Sequence, residues 1–208
     1  CHKSRPKLNP RNLDGIILTH KHLDHSNDVN LMIEAMTNGG WDKKGTLFTP
    51  RDALDDDPVV LNHFQKKLNK VVKLKEKGEY HIGNIKFKTP VKHKHGVETY
   101  GLNIYGEKHS FSLISDTKYF TGLEDFYKED ILIINLVMYD GKEHILHLDV
   151  NDAEKIISKN KPKVSIITHF GMTMIKHKPW EIAENLSKKL GLKVIAASDG
   201  MKFNLDKY

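Results

Sequence analysis

The chain has 208 residues, 38% of them hydrophobic and 29% charged, a composition that suits an ordinary globular protein with one core. Its longest apolar run, residues 131–137, falls far short of the roughly 18 residues a membrane-spanning helix requires. One cysteine, Cys1, excludes an intrachain disulfide framework and a multi-cysteine zinc site, and 33 Lys+Arg against 27 Asp+Glu leave a net charge of +6, a mild field that favours anionic substrates.

Residues 1–208 are expected to form a single domain, and the cysteine usage suits a reducing, cytoplasmic setting. Residues 14–19, Asp-Gly-Ile-Ile-Leu-Thr, predict a short buried strand. A histidine-rich turn follows, and then a helix over 27–36, capped at Asn27 or Asp28 and stopped by Asn38-Gly39-Gly40. Runs at 47–49, 71–74, 79–82 and 85–89 read as strands, interrupted by Pro50, Pro58 and a Gly83-Asn84 hairpin turn. Residues 62–70 read as an amphipathic helix. Beyond residue 100 the pattern becomes strand and helix in alternation. Strands are predicted at 101–105, 111–115, 131–137, 164–168 and 194–197, with helices at 151–160 and 180–190. Asn151 with Glu154 resembles a capping box, and Gly191 is the stop of the last helix. Such alternation argues for an α/β layered fold.

Thirteen histidines are present, and their placement is uneven. Thr19-His20-Lys21-His22-Leu23-Asp24-His25 puts three imidazoles and a carboxylate into six positions directly after a strand. These are the nitrogen and oxygen ligands of zinc and similar divalent ions, and a turn leaving a rigid strand can aim them at two neighbouring metals. His2, His63, His81, His109, His144 and His177 read as surface or structural residues. No Gly-x-Ser-x-Gly elbow or Ser-His-Asp motif offers a protein nucleophile.

The His20 to His25 string resembles the signature of the metallo-β-lactamase-fold hydrolases. Downstream segments resemble the ribonuclease Z-like branch in order: His95-Gly-Val-Glu-Thr-Tyr-Gly101, Asp116 in Ile114-Ser-Asp-Thr117, His169 in Ile166-Ile-Thr-His-Phe170, His147 ahead of a helix, and Ser198-Asp-Gly-Met201. The resemblance implies a four-layer αββα sandwich. It also implies one metal on His20, His22 and His95, a second on Asp24, His25 and His169, and Asp116 bridging them. Zinc is the expected ion, with manganese or iron as alternatives. His93, two residues before His95, competes with it for the same role, and Asp199 is either a turn residue or part of the site.

Two divalent ions roughly 3.5–4 Å apart share a hydroxide at neutral pH and suit in-line attack on phosphate diesters. The expected function is therefore a dinuclear metal-dependent hydrolase of phosphodiesters, RNA or small molecules. Asp24 and His147 are its catalytic groups, with His147 near the metals and not among their ligands. Ester, thioester or lactone hydrolysis on the same pair is the alternative, and a nucleic-acid-binding protein with structural metals is a third reading. Gly171-Met-Thr-Met174 stands where bacterial transfer-RNA-processing members carry Ser-x-Arg-Tyr. The family's opening strands are not found in the chain, so the domain is expected to be N-terminally incomplete. The edge at residues 14–19 would then be open, otherwise covered, or paired by another chain, as in a homodimer.

Overall fold

A computed structural model describes residues 8–208, so Cys1 and His2 lie outside it. After a 3-10 turn at Pro10–Asn12 come β1 (Gly15–Ile17), α1 (Leu23–Ser26), α2 (Val29–Met36), β2 (Thr46–Thr49), α3 (Asn62–Gln65) and β3 (Lys70–Lys73). The three strands form a parallel sheet in the order β1-β2-β3. Val29, Ile33 and Met36 recur at one-turn spacing on α2 and pack with Leu18 and Leu47, so the helix covers the outer face of this sheet. The helix expected over 62–70 is a single turn, because Lys70 already belongs to β3. Its Val71 and Val72 pair with Leu47 and Phe48 of β2, and β-branched side chains favour that pleated surface. Asp28 occupies the cap position of α2, but its side chain makes no capping hydrogen bond.

The second sheet holds β4 (Gly78–Ile82), β5 (Ile85–Thr89), β6 (Leu102–Tyr105), β7 (Ser110–Ile114), β8 (Ile131–Asn135), β9 (Val164–Thr168) and β10 (Val194–Ala196). Their order is β10-β9-β8-β7-β6-β5-β4. Strands β4 to β7 run antiparallel to their neighbours, joined at the start by the hairpin at Gly83-Asn84, and β7 to β10 run parallel. The parallel half needs crossovers, and two of them are helical: α4 (Val150–Asn160) and, after the short α5 (Met172–Lys176), α6 (Pro179–Leu190). α4 begins one residue before the Asn151 start expected from the sequence, and its cap is Asp149, two residues before. The box is made by Asp149 and Asp152, each carboxylate accepting the other residue's backbone N–H.

Ile156, Ile157, Ile182 and Leu186 of these helices pack on Leu132, Ile134 and Ile167. Between the two sheets, Phe48 meets Phe87, Tyr100 and Leu102, with Ile17, Val72 and Tyr80 packed around them. Helix, sheet, sheet and helix thus stack as four layers. Among the described residues no strand pairs with the free side of β1, and no helix is long and apolar enough to cross a membrane.

Candidate metal centre

The chemistry-bearing side chains leave the ends of strands from both sheets. β1 ends at Ile17, and the chain has no regular structure until His22, which precedes the first turn of α1, while Asp24 and His25 ride on that turn. His95 sits in a tight loop closed by a bridge between Lys92 and Tyr100. That loop is docked on the segment before His20 by the Tyr100 N–H, which donates to the Thr19 carbonyl at 3.2 Å. Asp116 follows β7 and His169 follows β9. His169 has φ 61°, a left-handed conformation that costs a non-glycine residue about 1–3 kcal/mol and is kept where the surroundings impose it.

The buried Asp116 carboxylate, 2% exposed, is the hub. Its Oδ2 lies 3.3 Å from His25 Nε2, 3.7 Å from His20 Nε2, 3.8 Å from His169 Nε2 and 4.0 Å from His95 Nε2. Around it, imidazole nitrogens face one another in pairs. His95 Nε2 is 2.9 Å from His22 Nδ1, and His169 Nε2 is 2.7 Å from His25 Nε2. Asp24 Oδ2 lies 3.3 Å from His169 Nε2 and 3.5 Å from His25 Nε2.

Ring nitrogens that crowd in this way are lone pairs converging on a common point. The other nitrogens show why. His95 Nδ1 must donate to the Leu146 carbonyl at 2.9 Å, which leaves Nε2 as a lone pair in the neutral ring. His20 Nε2 is buried with no hydrogen-bond partner, which is costly unless something else satisfies it. Two donor sets, His20–His22–His95 and Asp24–His25–Asp116–His169, each have ligand atoms within 4.8 Å of one another, which fits zinc-like bond lengths of about 2.0–2.2 Å. The residues therefore fit a pair of divalent ions.

Electrostatics agree with neutral nitrogen ligands around an ionised carboxylate. Burial, reinforced by the neighbouring His25, pushes the His20 imidazole down to about 3. Burial also lowers His95 and His147. For Asp116, burial works in the opposite direction, but the adjacent His25 imidazole, the hydrogen bond from Asn135 and the nearby His169 win and hold the carboxyl well below its ordinary range. Asn135, the last residue of β8, donates from Nδ2 to Asp116 Oδ1 at 2.8 Å, leaving Oδ2 to face the histidines. The sequence offers one sign of this residue, a lone amide closing an apolar run.

His147 lies in an irregular loop and not at a strand end. Its Nδ1 is buried, unpartnered and 3.6 Å from Asp116 Oδ2, and with His95 and Asp116 it forms a third possible donor set. His93 belongs to neither donor set; it is buried, with Nε2 against the Tyr127 hydroxyl and Nδ1 against the backbone carbonyl of Asp116. Asp199 lies in an exposed turn in which the Met201 N–H donates to the Ser198 carbonyl. An open cavity of about 450 Å³, lined by Leu23, Asp24, His25, Asn27 and Asp28, gives access to the centre.

Residues 2–170 match the family described as the beta-lactamase superfamily domain. An uncharacterized protein of Methanocaldococcus jannaschii is 30% identical over 211 residues, covering 96% of this chain and 77% of that protein. Among solved structures, the metallo-beta-lactamase fold protein YhfI from Bacillus subtilis superposes with a TM-score of 0.75 at 18% identity, covering 94% of this chain and 79% of that one. A diphosphatase from the PhnP family gives a TM-score of 0.64 at 23% identity, covering 91% and 70%. The fold, the strand-end donors and the family match agree, and the chain belongs to the beta-lactamase superfamily with the metallo-β-lactamase fold.

Proposed function

We propose that the protein is a dinuclear metal-dependent hydrolase of phosphodiesters, with zinc as the metal and a small phosphodiester or RNA as the anionic substrate. The observation that carries this reading is the convergence of four imidazoles, His20, His25, His95 and His169, within 4.0 Å of Asp116 Oδ2, with His22 and Asp24 set against those histidines and the unpartnered His147 Nδ1 beside them. Similarity to a protein described as a diphosphatase supports phosphate chemistry, as does the net charge of +6.

Two divalent ions held here would supply Lewis acidity to an attacking water and to a charged leaving oxygen. His20, His22 and His95 would hold one ion and Asp24, His25 and His169 the other, with Asp116 within reach of both donor sets. Asp24, 62% exposed, lies at the cavity mouth, where its carboxylate orients the attacking water and accepts its proton. His147 is neutral near pH 7 because burial lowers it. In that form an Nδ1–H donates to a phosphoryl oxygen. An arriving phosphate anion raises the proton affinity of the ring, which takes a second proton from bulk water and would pass it to the leaving alkoxide.

The test is zinc stoichiometry together with turnover of bis-nitrophenyl phosphate, a dialkyl phosphodiester, precursor transfer RNA, a thioester and a lactone. Two zinc ions per chain and a preference for phosphodiesters are expected. His147→Ala should keep both ions and lose about 10²–10⁴ in rate on the poor leaving group, less on the nitrophenyl ester. Equal losses on both substrates would remove the acid role, loss of an ion would make His147 a ligand, and turnover of the lactone or thioester alone would move the substrate class.

A further inference from the structure

His93 is 3% exposed, and its ring bridges two partners from separate parts of the chain. Nδ1 lies 3.1 Å from the backbone carbonyl oxygen of Asp116, and Nε2 lies 2.6 Å from the Tyr127 hydroxyl. A carbonyl can only accept, so Nδ1 carries the proton. The neutral ring then accepts at Nε2, and the Tyr127 hydroxyl donates to it. Tyr127 is fully buried, and the Gly101 backbone is packed directly against its hydroxyl. Each group in this chain has one possible role, from Tyr127 through His93 to the Asp116 carbonyl.

The space behind the chain is equally constrained. A Cβ on Gly101 would lie 2.3 Å from Tyr127 Oη, 2.7 Å from the Leu113 carbonyl oxygen and 2.8 Å from His93 Cε1. Glycine at 101 is therefore what lets its backbone reach the hydroxyl. On the far side of Asp116, Asn135 holds Oδ1. The residue is thus gripped at its peptide and at its carboxylate by side chains that meet neither each other nor the cavity.

We propose that His93, set in one tautomer by the Asp116 carbonyl and the Tyr127 hydroxyl, is a positioning residue that fixes the backbone of Asp116 and so sets how tightly the centre holds metal. This rests on the reading of Asp116 as a metal ligand. It gives the sequence pair His93 and His95 two distinct tasks: one imidazole faces the metals, and the other holds a ligand from behind.

Two isosteric substitutions separate positioning from core filling. Asn at 93 places an amide N–H where Nδ1 stands and keeps the bond to the Asp116 carbonyl. Gln places its amide where Nε2 stands, reaches Tyr127 and loses that bond. Zinc affinity measured against a chromophoric chelator should stay close to wild type in His93→Asn and fall about 10–100-fold in His93→Gln, the usual cost of losing a group that orients a ligand. Equal zinc affinity in the two variants would overturn the proposal.

A second measurement needs neither variant nor metal: the ring nitrogen shifts of His93 in the metal-free protein. They should report the Nδ1–H tautomer in wild type, and an Nε2–H tautomer would overturn the assignment. If wild type fails to bind two zinc ions, the hydrolase reading fails, and the nitrogen shifts still decide whether the Tyr127–His93–Asp116 chain exists.

Discussion

Asn135→Ala tests how the Asp116 carboxylate is aimed. Asn135 and Asp116 are 8% and 2% exposed, and the 2.8 Å bond from Nδ2 is the one side-chain hydrogen bond found on Asp116 Oδ1. Truncation leaves a buried carboxylate oxygen unpaired, a cost of about 1.5–3 kcal/mol for a charged acceptor. At about 1.4 kcal/mol per tenfold, zinc should bind on the order of 10–100 times more weakly. Asn135→Asp should be worse, because two buried carboxylates at this distance share one proton and one of them stops being a ligand.

The assay is competition with a chelator at pH 7.5, with circular dichroism confirming the fold. Asn103→Ala is the matched control. Asn103 is 7% exposed, donates from Nδ2 to the Phe126 carbonyl and accepts from Ser112, so its loss should lower thermal stability and leave zinc affinity alone. Asn135→Ala binding zinc as tightly as wild type, or no more weakly than Asn103→Ala, would refute the reasoning.

Asp116→Ala should loosen both ions together, because its Oδ2 lies within 4.0 Å of His20 and His95 of one donor set and of His25 and His169 of the other; full occupancy of both sites by elemental analysis would remove its bridging role. In the metal-free protein His20 and His93 are lowered by burial from 6.5 to about 3 and about 4. The unfolded chain therefore takes up protons below pH 6.5 that the native state refuses. Stability should be full above pH 6.5 and fall toward pH 4 by up to about 1.4 kcal/mol per pH unit for each group; a melting temperature that stays flat across that window would contradict this. Lys161 ends α4 in the left-handed conformation, φ 48° and ψ 53°, and is exposed. Lys161→Gly should relieve about 1 kcal/mol and raise the melting temperature by about 2–4 °C, and a lowered value would show that the lysine side chain matters more than its backbone.

The donor cluster was legible because ligand chemistry is written locally: His20, His22, Asp24 and His25 lie within six positions. His95, Asp116 and His169 were legible through their place after strands and through the family resemblance. Asn135 was hidden by its own context, since one amide at the end of Ile-Leu-Ile-Ile-Asn barely disturbs an apolar run. The tasks of His93 and Tyr127 were beyond reach, because a tautomer is set by partners 23 and 34 residues away. The start of α4 was misplaced because Asp149 and Asp152 make a reciprocal box from two aspartates, which the Ser/Thr and Glu/Gln pattern does not cover. The layered class followed from alternation alone, whereas the reach of Lys70 into β3 depended on its pairing with β2.

The donors that surround Asp116 come from the ends of strands in two different sheets and span residues 20 to 169. No local fragment assembles the set: closing it requires both sheets to be stacked and the crossover through α4 to be complete. A metal bound there rewards only the finished topology, since native-state binding adds stability in proportion to the logarithm of metal concentration over the dissociation constant. Contacts that form after the rate-limiting barrier slow unfolding and leave the folding rate nearly untouched. Metal should therefore act as a latch on this protein, lengthening the lifetime of the folded chain without guiding it there.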